Sequence, residues 1–323
     1  MTSAVIDGQR RYPAGPMDSD AHILVENAGE PAPLVVTFGF ALWDEPAAFD
    51  FVGRLRKVEW LLGRRFHRIH LRDPRMAWYL QGITGLGDNL DTTLDALRRH
   101  IRALPATRMT TLGQSMGGYG AILYGLALGA DRVVALGALS TMDAADARTR
   151  GDQRWLSVME RLEAEGIGAA QTDLLALARQ ASALPELRLH YGDRPDAPEQ
   201  GPVNLDLFHA ERFATLPGCR ITRHADSDHV VVNHLKATRE IDAVLLHEIF
   251  DVDPALLHRR TRPLLDDGWL RWIAENRLRR SDLDGLVAAM LERGMPAITA
   301  RSAIAEVERD PTFLAAEQLL AAR

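Results

Sequence analysis

The sequence predicts an α/β protein in which a mostly parallel sheet carries helices on both faces. Apolar runs of strand length alternate with amphipathic segments of helix length, which is the pattern of a parallel sheet with helical crossovers. The run Leu34–Phe38 is almost continuously apolar, as is typical of a strand buried on both faces. With 323 residues, 46% of them hydrophobic, the chain is long enough for one large domain and an extension.

The predicted elements follow one another along the first 250 residues. The strands are Ala21–Val25, Leu34–Phe38, Phe66–Leu71, Arg108–Leu112, Arg132–Ala138, Leu187–Tyr191 and Arg220–Arg223. Between the second and third strands, apolar residues recur at helical spacing from Phe51 to Leu62, and Gly63 marks the end of that helix. A further helix is predicted over Asn89–Leu104 for the same reason.

Two segments depart from this alternation. The segment 141–186 is too long for a simple crossover and has a charged, helical pattern, so we predict a small helical insert beside the site, as a lid or substrate wall. Beyond residue 250 the strand signals end and helix-start signals follow, which predicts a core domain over 1–250 and an all-helical extension over 251–323. The apolar residues of this extension predict packing on the core or a homo-oligomer surface.

The chemistry-bearing motif is GQSMG at residues 113–117. It lies between the strand Arg108–Leu112 and a helix predicted over Met116–Leu128, which is the strand–turn–helix setting of a nucleophile elbow. A side chain exposed on so tight a turn leaves no room for flanking Cβ atoms, hence the glycines. The helix N-terminus also favours negative charge developing at Ser115. Ser115 is therefore the candidate nucleophile, and the alternative is a glycine-rich turn with a capping serine.

The order of elements together with this elbow resembles the α/β-hydrolase superfamily over about residues 20–248. In that family an acid follows the penultimate strand and a histidine follows the last one. More narrowly, LRD at 71–73, WY at 78–79, GI at 82–83 and GQSMGGY at 113–119 resemble a bacterial branch related to the glycan O-acetyltransferases of accessory secretion systems. The resemblance implies an α/β-hydrolase fold with the order serine, acid, histidine.

A base is needed because the Ser115 hydroxyl is not ionised at neutral pH. The resemblance implies a histidine after the last strand, where three candidates lie. His229 lies in the polar loop ADSDHV at 225–230 and is the first choice as general base. His224 falls at the strand end and His234 about one turn into the next helix, where structural roles are the expected ones.

The acid must orient the imidazole and stabilise its protonated form. Three aspartates follow the penultimate strand, and we rank them Asp206, then Asp196, then Asp193. Asp206 ranks first because the segment DLFHAER at 206–212 resembles the narrower branch, in which the aspartate before the His-Ala pair is the acid. The alternative for Asp206 is the N-cap of the next helix.

The resemblance implies an oxyanion hole built from two backbone N–H groups. One is that of Met116, directly after the nucleophile, and the other comes from the loop after Leu34–Phe38, with Gly39 and Phe40 as the main candidates and Ala41 as a third. Aromatic residues that could line an acyl or glycan pocket, with core packing as the alternative, are Trp43, Trp78 and Tyr79.

Composition limits the kinds of partner and cofactor that the sequence predicts. The net charge is −6 with a pI near 6.0 and no basic block, which argues against nucleic-acid binding. No apolar run approaches membrane-spanning length. One cysteine, Cys219, excludes an internal disulfide framework and a cysteine-based zinc site. We therefore expect a cytoplasmic protein without metal or cofactor, acting on a small ester, a thioester or an acylated glycan.

Two classes of function remain. The first is a serine hydrolase that cleaves an ester or thioester through an acyl-Ser115 intermediate, or its close relative, an acyltransferase to a sugar or alcohol. The second is a non-catalytic binding or scaffold protein that uses the same fold. Retention of all three residue types in order favours an enzyme.

Overall fold

The computed structural model describes residues 4–6, 22–41, 48–195, 204–253, 267–278, 282–292, 295, 297–308, 313–314 and 317. Within these ranges, eight strands form one sheet. They are β1 Ala4–Ile6, β2 Ile23–Glu26, β3 Ala32–Phe38, β4 His67–Leu71, β5 Ala106–Gln114, β6 Arg132–Leu136, β7 Glu186–Gly192 and β8 Arg220–His224. Each of β2 to β8 overlaps a strand predicted from the sequence.

The strand order is β1-β2-β4-β3-β5-β6-β7-β8. β3 to β8 are parallel to one another, whereas β2 runs antiparallel to β4 and parallel to β1. This topology is that of the α/β-hydrolase fold. In the sheet register Phe38 lies opposite Gly113, so the loop after β3 begins beside the turn that follows β5. Ligands of parallel sheets bind at this carboxyl edge.

Helices connect the strands. Those described up to residue 253 are α1 Val52–Leu62, α2 Leu90–Arg102, α3 Met116–Leu128, α4 Ala144–Arg150, α5 Leu156–Ala164, α6 Ala169–Thr172, α7 Leu174–Gln180, α8 Leu205–Ala214, α9 Val231–Ala237 and α10 Ile241–Phe250. Beyond them lie α11 Asp267–Leu278, α12 Leu283–Glu292 and α13 Ala297–Val307. Across the described ranges no helix is long and apolar enough to span a bilayer.

The helix after the elbow lies very close to the sheet. α3 is buried on all sides from Met116 to Gly125, which explains why its apolar residues show no one-sided pattern. A Cβ on Gly117 would stand 2.1 Å from the Phe38 carbonyl oxygen. Because only glycine tolerates this approach, α3 begins directly above the ends of β3 and β5.

The long connection between β6 and β7 is a small helical insert, as the sequence predicts. It consists of the four short helices α4 to α7, and no strand interrupts it. Gly151, with φ +73°, ends α4, and Asp173 caps α7 by accepting the N–H groups of Leu175 and Ala176.

The chain divides into two compact units. The first comprises Met1–Asp50 and Phe66–Ile241, and the second Phe51–Arg65 and Asp242–Arg323. The sequence prediction placed the boundary at 250 instead and kept residues 51–65 with the core. α1 groups with the C-terminal helices through contacts between residues far apart in sequence. The local spacing of apolar residues does not predict such contacts.

The second unit has a core of its own. Asp242 accepts hydrogen bonds from Arg54 at 2.8 Å and from Lys57 at 2.7 Å, which connects α10 to α1. Apolar residues of α11 to α13 form a buried cluster, against which Trp60 of α1 packs. Formation of a homo-oligomer through these helices stays a prediction.

Candidate active site

The turn at Ser115 has the strained backbone that an exposed nucleophile requires. Ser115 has φ 55° and ψ −119°, a conformation that non-glycine residues rarely adopt. A Cβ on Gly113 would stand 2.0 Å from the carbonyl oxygen of Gly117, so only glycine at position 113 lets the turn close. The Ser115 N–H donates to the Leu136 carbonyl at 2.8 Å, which holds the turn against β6.

Three of the residues singled out in the sequence meet at this turn. Ser115 Oγ lies 2.7 Å from His229 Nε2, and His229 Nδ1 lies 2.8 Å from Asp206 Oδ2. Asp206 is in the first turn of α8, but it does not cap that helix. Asn204 is the cap and accepts the Leu207 N–H at 3.0 Å, which leaves the Asp206 carboxylate available to His229.

The surroundings keep the Asp206 carboxylate ionised. Burial alone would raise its pKa, but the charges of His229 and Arg154 and their hydrogen bonds outweigh burial and hold the pKa of Asp206 well below its usual value. An ionised carboxylate facing Nδ1 favours the imidazole tautomer that carries its proton on that nitrogen. In that tautomer Nε2 can accept a hydrogen bond from the Ser115 hydroxyl.

The alternative residues have other partners or lie elsewhere. Asp193 accepts the Asp226 N–H at 3.0 Å. His224 Nε2 lies 2.9 Å from His190 Nδ1. The ring of His234 stands 6.0 Å from that of His224. Asp196 lies outside the described residues.

One predicted oxyanion-hole donor is excluded by its hydrogen bond. The Gly39 N–H donates to the Leu71 carbonyl at 2.9 Å, which extends the β3–β4 ladder, so Gly39 cannot serve. Its carbonyl accepts the Tyr79 hydroxyl at 2.7 Å. The Gly39 carbonyl and the Phe40 N–H belong to one trans peptide unit, in which C=O and N–H point in opposite directions. The Phe40 N–H therefore points away from the Tyr79 hydroxyl. The N–H groups of Phe40 and Met116 donate to no described residue.

Two of the aromatic residues considered for a pocket, Trp78 and Tyr79, pack in the core, which was the alternative. Trp78 and Tyr79 are completely buried, and both have positive φ angles, 51° and 63°. Asp73 holds this unusual turn by accepting the Ala77 N–H at 2.8 Å and the Tyr79 N–H at 2.9 Å. Tyr79 thus supports the loop after β3 and does not contact solvent. Trp43 lies outside the described residues.

One aromatic residue of the predicted insert, Trp155, lies near His229. The Trp155 ring centre is 6.4 Å from that of His229, and the Trp78 ring packs edge-on against Trp155 at 4.9 Å. Trp155 belongs to the helical insert, and in the sequence it is only one of the apolar positions of that segment. Its neighbour Arg154, which donates to Asp206 Oδ1 at 2.6 Å, was not singled out either.

Gln114, the residue before Ser115, was also missed. Its Nε2 donates to the His229 carbonyl at 3.0 Å, and its Oε1 accepts the Val232 N–H at 3.2 Å. One buried amide therefore holds the loop of the histidine and the start of α9. A polar side chain at the end of a central strand can hydrogen-bond to neighbouring loops, but the local sequence does not indicate which loop it contacts.

His209, three residues after Asp206, anchors α8 to the end of β6. Its Nδ1 accepts from both the Ser140 N–H, at 3.0 Å, and the Ser140 hydroxyl, at 2.9 Å. Burial lowers the pKa of His209 from 6.5 to about 3, with smaller effects from nearby charges. The ring is therefore a neutral structural group at physiological pH.

This burial predicts a loss of stability in mild acid. Below pH 6.5 the unfolded chain protonates His209 while the folded chain does not, so the contribution of His209 to the free energy of unfolding falls as pH falls towards about 3, by up to about 1.4 kcal/mol per pH unit. The lowered pKa of Asp206 acts mainly at lower pH, because its stabilisation is lost only below its ordinary value of 3.8.

His209→Asn is the matched variant, since the Asn Oδ1 can accept the Ser140 N–H and does not titrate. Urea unfolding at several pH values between 6.5 and 4.5 should show a steeper loss of stability in the wild type, by about 1.4 kcal/mol per pH unit. If the free energy of unfolding depended on pH in the same way in both proteins, the proton taken up on unfolding could not be assigned to His209.

No protein-family model matches the chain, and no curated protein does. A solved structure similar to it is the capsule O-acetyltransferase of Neisseria meningitidis serogroup A, with 17% identity and a TM-score of 0.47, covering 68% of this chain and 90% of that one. FphF, a fluorophosphonate-binding serine hydrolase of Staphylococcus aureus, has 16% identity, a TM-score of 0.44 and coverages of 66% and 84%. An S-formylglutathione hydrolase from Agrobacterium tumefaciens has 15% identity and a TM-score of 0.42, and the match covers 68% of this chain and 85% of that one.

Proposed function

We propose that this chain is a serine hydrolase that cleaves an ester or thioester through an acyl-Ser115 intermediate. The observation that carries the proposal is the unbroken hydrogen-bonded series from Ser115 Oγ through His229 to Asp206, at 2.7 and 2.8 Å. These distances are those of an activated nucleophile with an oriented base. The two N–H groups of Met116 and Phe40 supply candidate donors for an oxyanion.

Acylation follows from this arrangement. Ser115 Oγ attacks the carbonyl carbon of the substrate while its proton passes to His229 Nε2, and the carbonyl oxygen becomes an oxyanion. Met116 and Phe40 N–H groups stabilise that charge. The tetrahedral intermediate then collapses, the bond to the leaving group breaks, and the imidazolium returns its proton to the departing alkoxide or thiolate. Asp206 stabilises the transient positive charge of His229.

Deacylation reverses these roles. A water molecule gives a proton to His229 and attacks the acyl-serine, and the carboxylic acid leaves as Ser115 regains its proton. An alcohol or sugar hydroxyl can enter in place of water, in which case the product is a new ester. Products formed from one acyl donor with and without an added alcohol distinguish hydrolysis from transfer.

The acyl-enzyme can be trapped directly. With p-nitrophenyl acetate in excess, we expect a burst of p-nitrophenolate stoichiometric with the protein, followed by a slower steady rate. Acid quenching during the burst should leave an acetyl group on the peptide that contains Ser115, detected by mass spectrometry. Release of p-nitrophenolate at no more than the buffer rate, without acetylation of Ser115, would contradict the proposal and favour a non-catalytic protein.

A further inference from the structure

The helical insert reaches the carboxylate that faces His229. Arg154 lies between α4 and α5, and its Nη1 donates to Asp206 Oδ1 at 2.6 Å. The other oxygen of that carboxylate, Oδ2, faces His229 Nδ1 at 2.8 Å. Each oxygen of Asp206 therefore has its own partner, the insert on one side and the imidazole on the other.

Arg154 is itself held in place. Asp152 accepts its Nε at 3.0 Å and its Nη2 at 2.8 Å, and the same carboxylate accepts the Arg154 backbone N–H at 3.1 Å. Asp152 is only 1% exposed. A two-point contact between guanidinium and carboxylate fixes the plane of the side chain as well as its position. The direction in which Arg154 donates to Asp206 is thus set by the insert.

The insert also binds the helix that carries Asp206. The Arg150 guanidinium, at the end of α4, lies 3.7 Å from the centre of the Phe208 ring of α8. Arg212, at the other end of α8, donates to Asp173 at the start of α7 at 2.6 Å. Both contacts lie on the C-terminal side of Asp206 along α8, so the insert holds the helix that carries Asp206 as well as the Asp206 side chain.

The charges of this cluster balance in a way that suits catalysis. A guanidinium beside Asp206 would, by itself, reduce the negative charge that the carboxylate offers to an imidazolium. Asp152 offsets that positive charge. Together Asp152, Arg154 and Asp206 carry one net negative charge, which is neutralised when His229 takes the Ser115 proton. Arg154 can therefore fix the direction of the carboxylate without cancelling its electrostatic effect.

Resting on the proposed function, we propose that Arg154 is a positioning residue that acts through Asp206. It holds Oδ1 so that Oδ2 stays directed at His229 Nδ1, and Asp152 keeps Arg154 in position and neutralised. The insert is then part of the apparatus that prepares the nucleophile, in addition to any contact that it makes with substrate.

The first test compares two substitutions at one site. Arg154→Met keeps much of the apolar stem but removes the donor, and we expect kcat for p-nitrophenyl acetate to fall about 10- to 100-fold with KM changed much less. Arg154→Lys keeps a charge without the planar fork and should recover part of this loss. The matched control is Arg148→Met, on the same insert, where an exposed pair with Glu160 is lost and kcat should not change.

The second test separates positioning from general support of the structure. If Arg154 acts through Asp206, adding Arg154→Met to Asp206→Ala should lower kcat no further than Asp206→Ala alone. A structural role would lower kcat by the same factor in both backgrounds. Equal factors in the two backgrounds, or an unchanged kcat in Arg154→Met, would overturn the proposal.

A third readout does not depend on turnover. The proton between His229 Nδ1 and Asp206 should give a low-field NMR signal in the wild type and in Arg148→Met. In Arg154→Met we expect this signal to move upfield or to be lost through exchange with water, while the thermal unfolding curve stays cooperative. An unchanged signal in Arg154→Met would overturn the positioning role. A wild type without esterase activity would contradict the proposed function, yet the signal would still decide the role of Arg154.

Discussion

Replacing Ser115 with alanine is expected to reduce turnover of an activated ester by on the order of a million-fold, to near the rate of the buffer. The reason is that Ser115 Oγ forms the bond between the protein and the acyl group in the proposed pathway, so without it no acyl-enzyme can form. The fold should persist, because the Ser115 backbone makes the contact with Leu136 and its side chain caps no helix. Steady-state assays with p-nitrophenyl acetate measure the effect.

The matched control for this variant is Ser157→Ala. Ser157 is exposed on α5 and should be replaceable without change in kcat or in the midpoint of thermal unfolding. If Ser115→Ala retained a substantial share of wild-type turnover while Ser157→Ala behaved normally, another residue would have to be the nucleophile.

The second large effect is expected at the base and the acid. His229→Ala should lower kcat by several orders of magnitude, because only the oxyanion donors and substrate binding then assist the reaction. Asp206→Asn should cost about 10⁴-fold, since an amide can present a donor to Nδ1 and so favour the wrong imidazole tautomer. In each case KM should change far less than kcat, which separates loss of chemistry from loss of binding.

Residues of the same types nearby provide the controls. His234→Ala and Asp193→Asn alter the alternatives that the sequence offered, and their side chains have other partners, the ring of His224 and the Asp226 N–H. We expect both variants to keep kcat within a few-fold of the wild type. A collapse of activity in Asp193→Asn with retention in Asp206→Asn would mean that a different carboxylate orients His229.

The sequence predicted the features that depend on local pattern. Strands β2 to β8 and the turn at Ser115 follow from apolar periodicity and from glycines that a sharp turn requires. The acid was ranked among three aspartates on a resemblance, because nothing local distinguishes a carboxylate that caps a helix from one that faces a histidine. Only the folded structure shows that Asn204, and not Asp206, caps α8.

The supporting residues depend on contacts between distant segments and were missed. Arg154 meets Asp206 across 52 positions, and Gln114 meets the His229 carbonyl across 115. The exclusion of Gly39 as an oxyanion donor has the same origin, because its N–H is taken by Leu71 of a neighbouring strand. For Trp78 and Tyr79 the sequence left a pocket and core packing open, and only the folded structure shows that both side chains are buried.

The most direct test of the account is covalent labelling with a fluorophosphonate, which reacts with a serine that a neighbouring base has activated. Wild type, Ser115→Ala and Ser157→Ala are treated in parallel, and the labelled peptide is identified by mass spectrometry. We expect stoichiometric labelling on Ser115 in the wild type and in Ser157→Ala, and none in Ser115→Ala. Equal labelling of all three proteins, or labelling of none, would contradict the claim that Ser115 is an activated nucleophile.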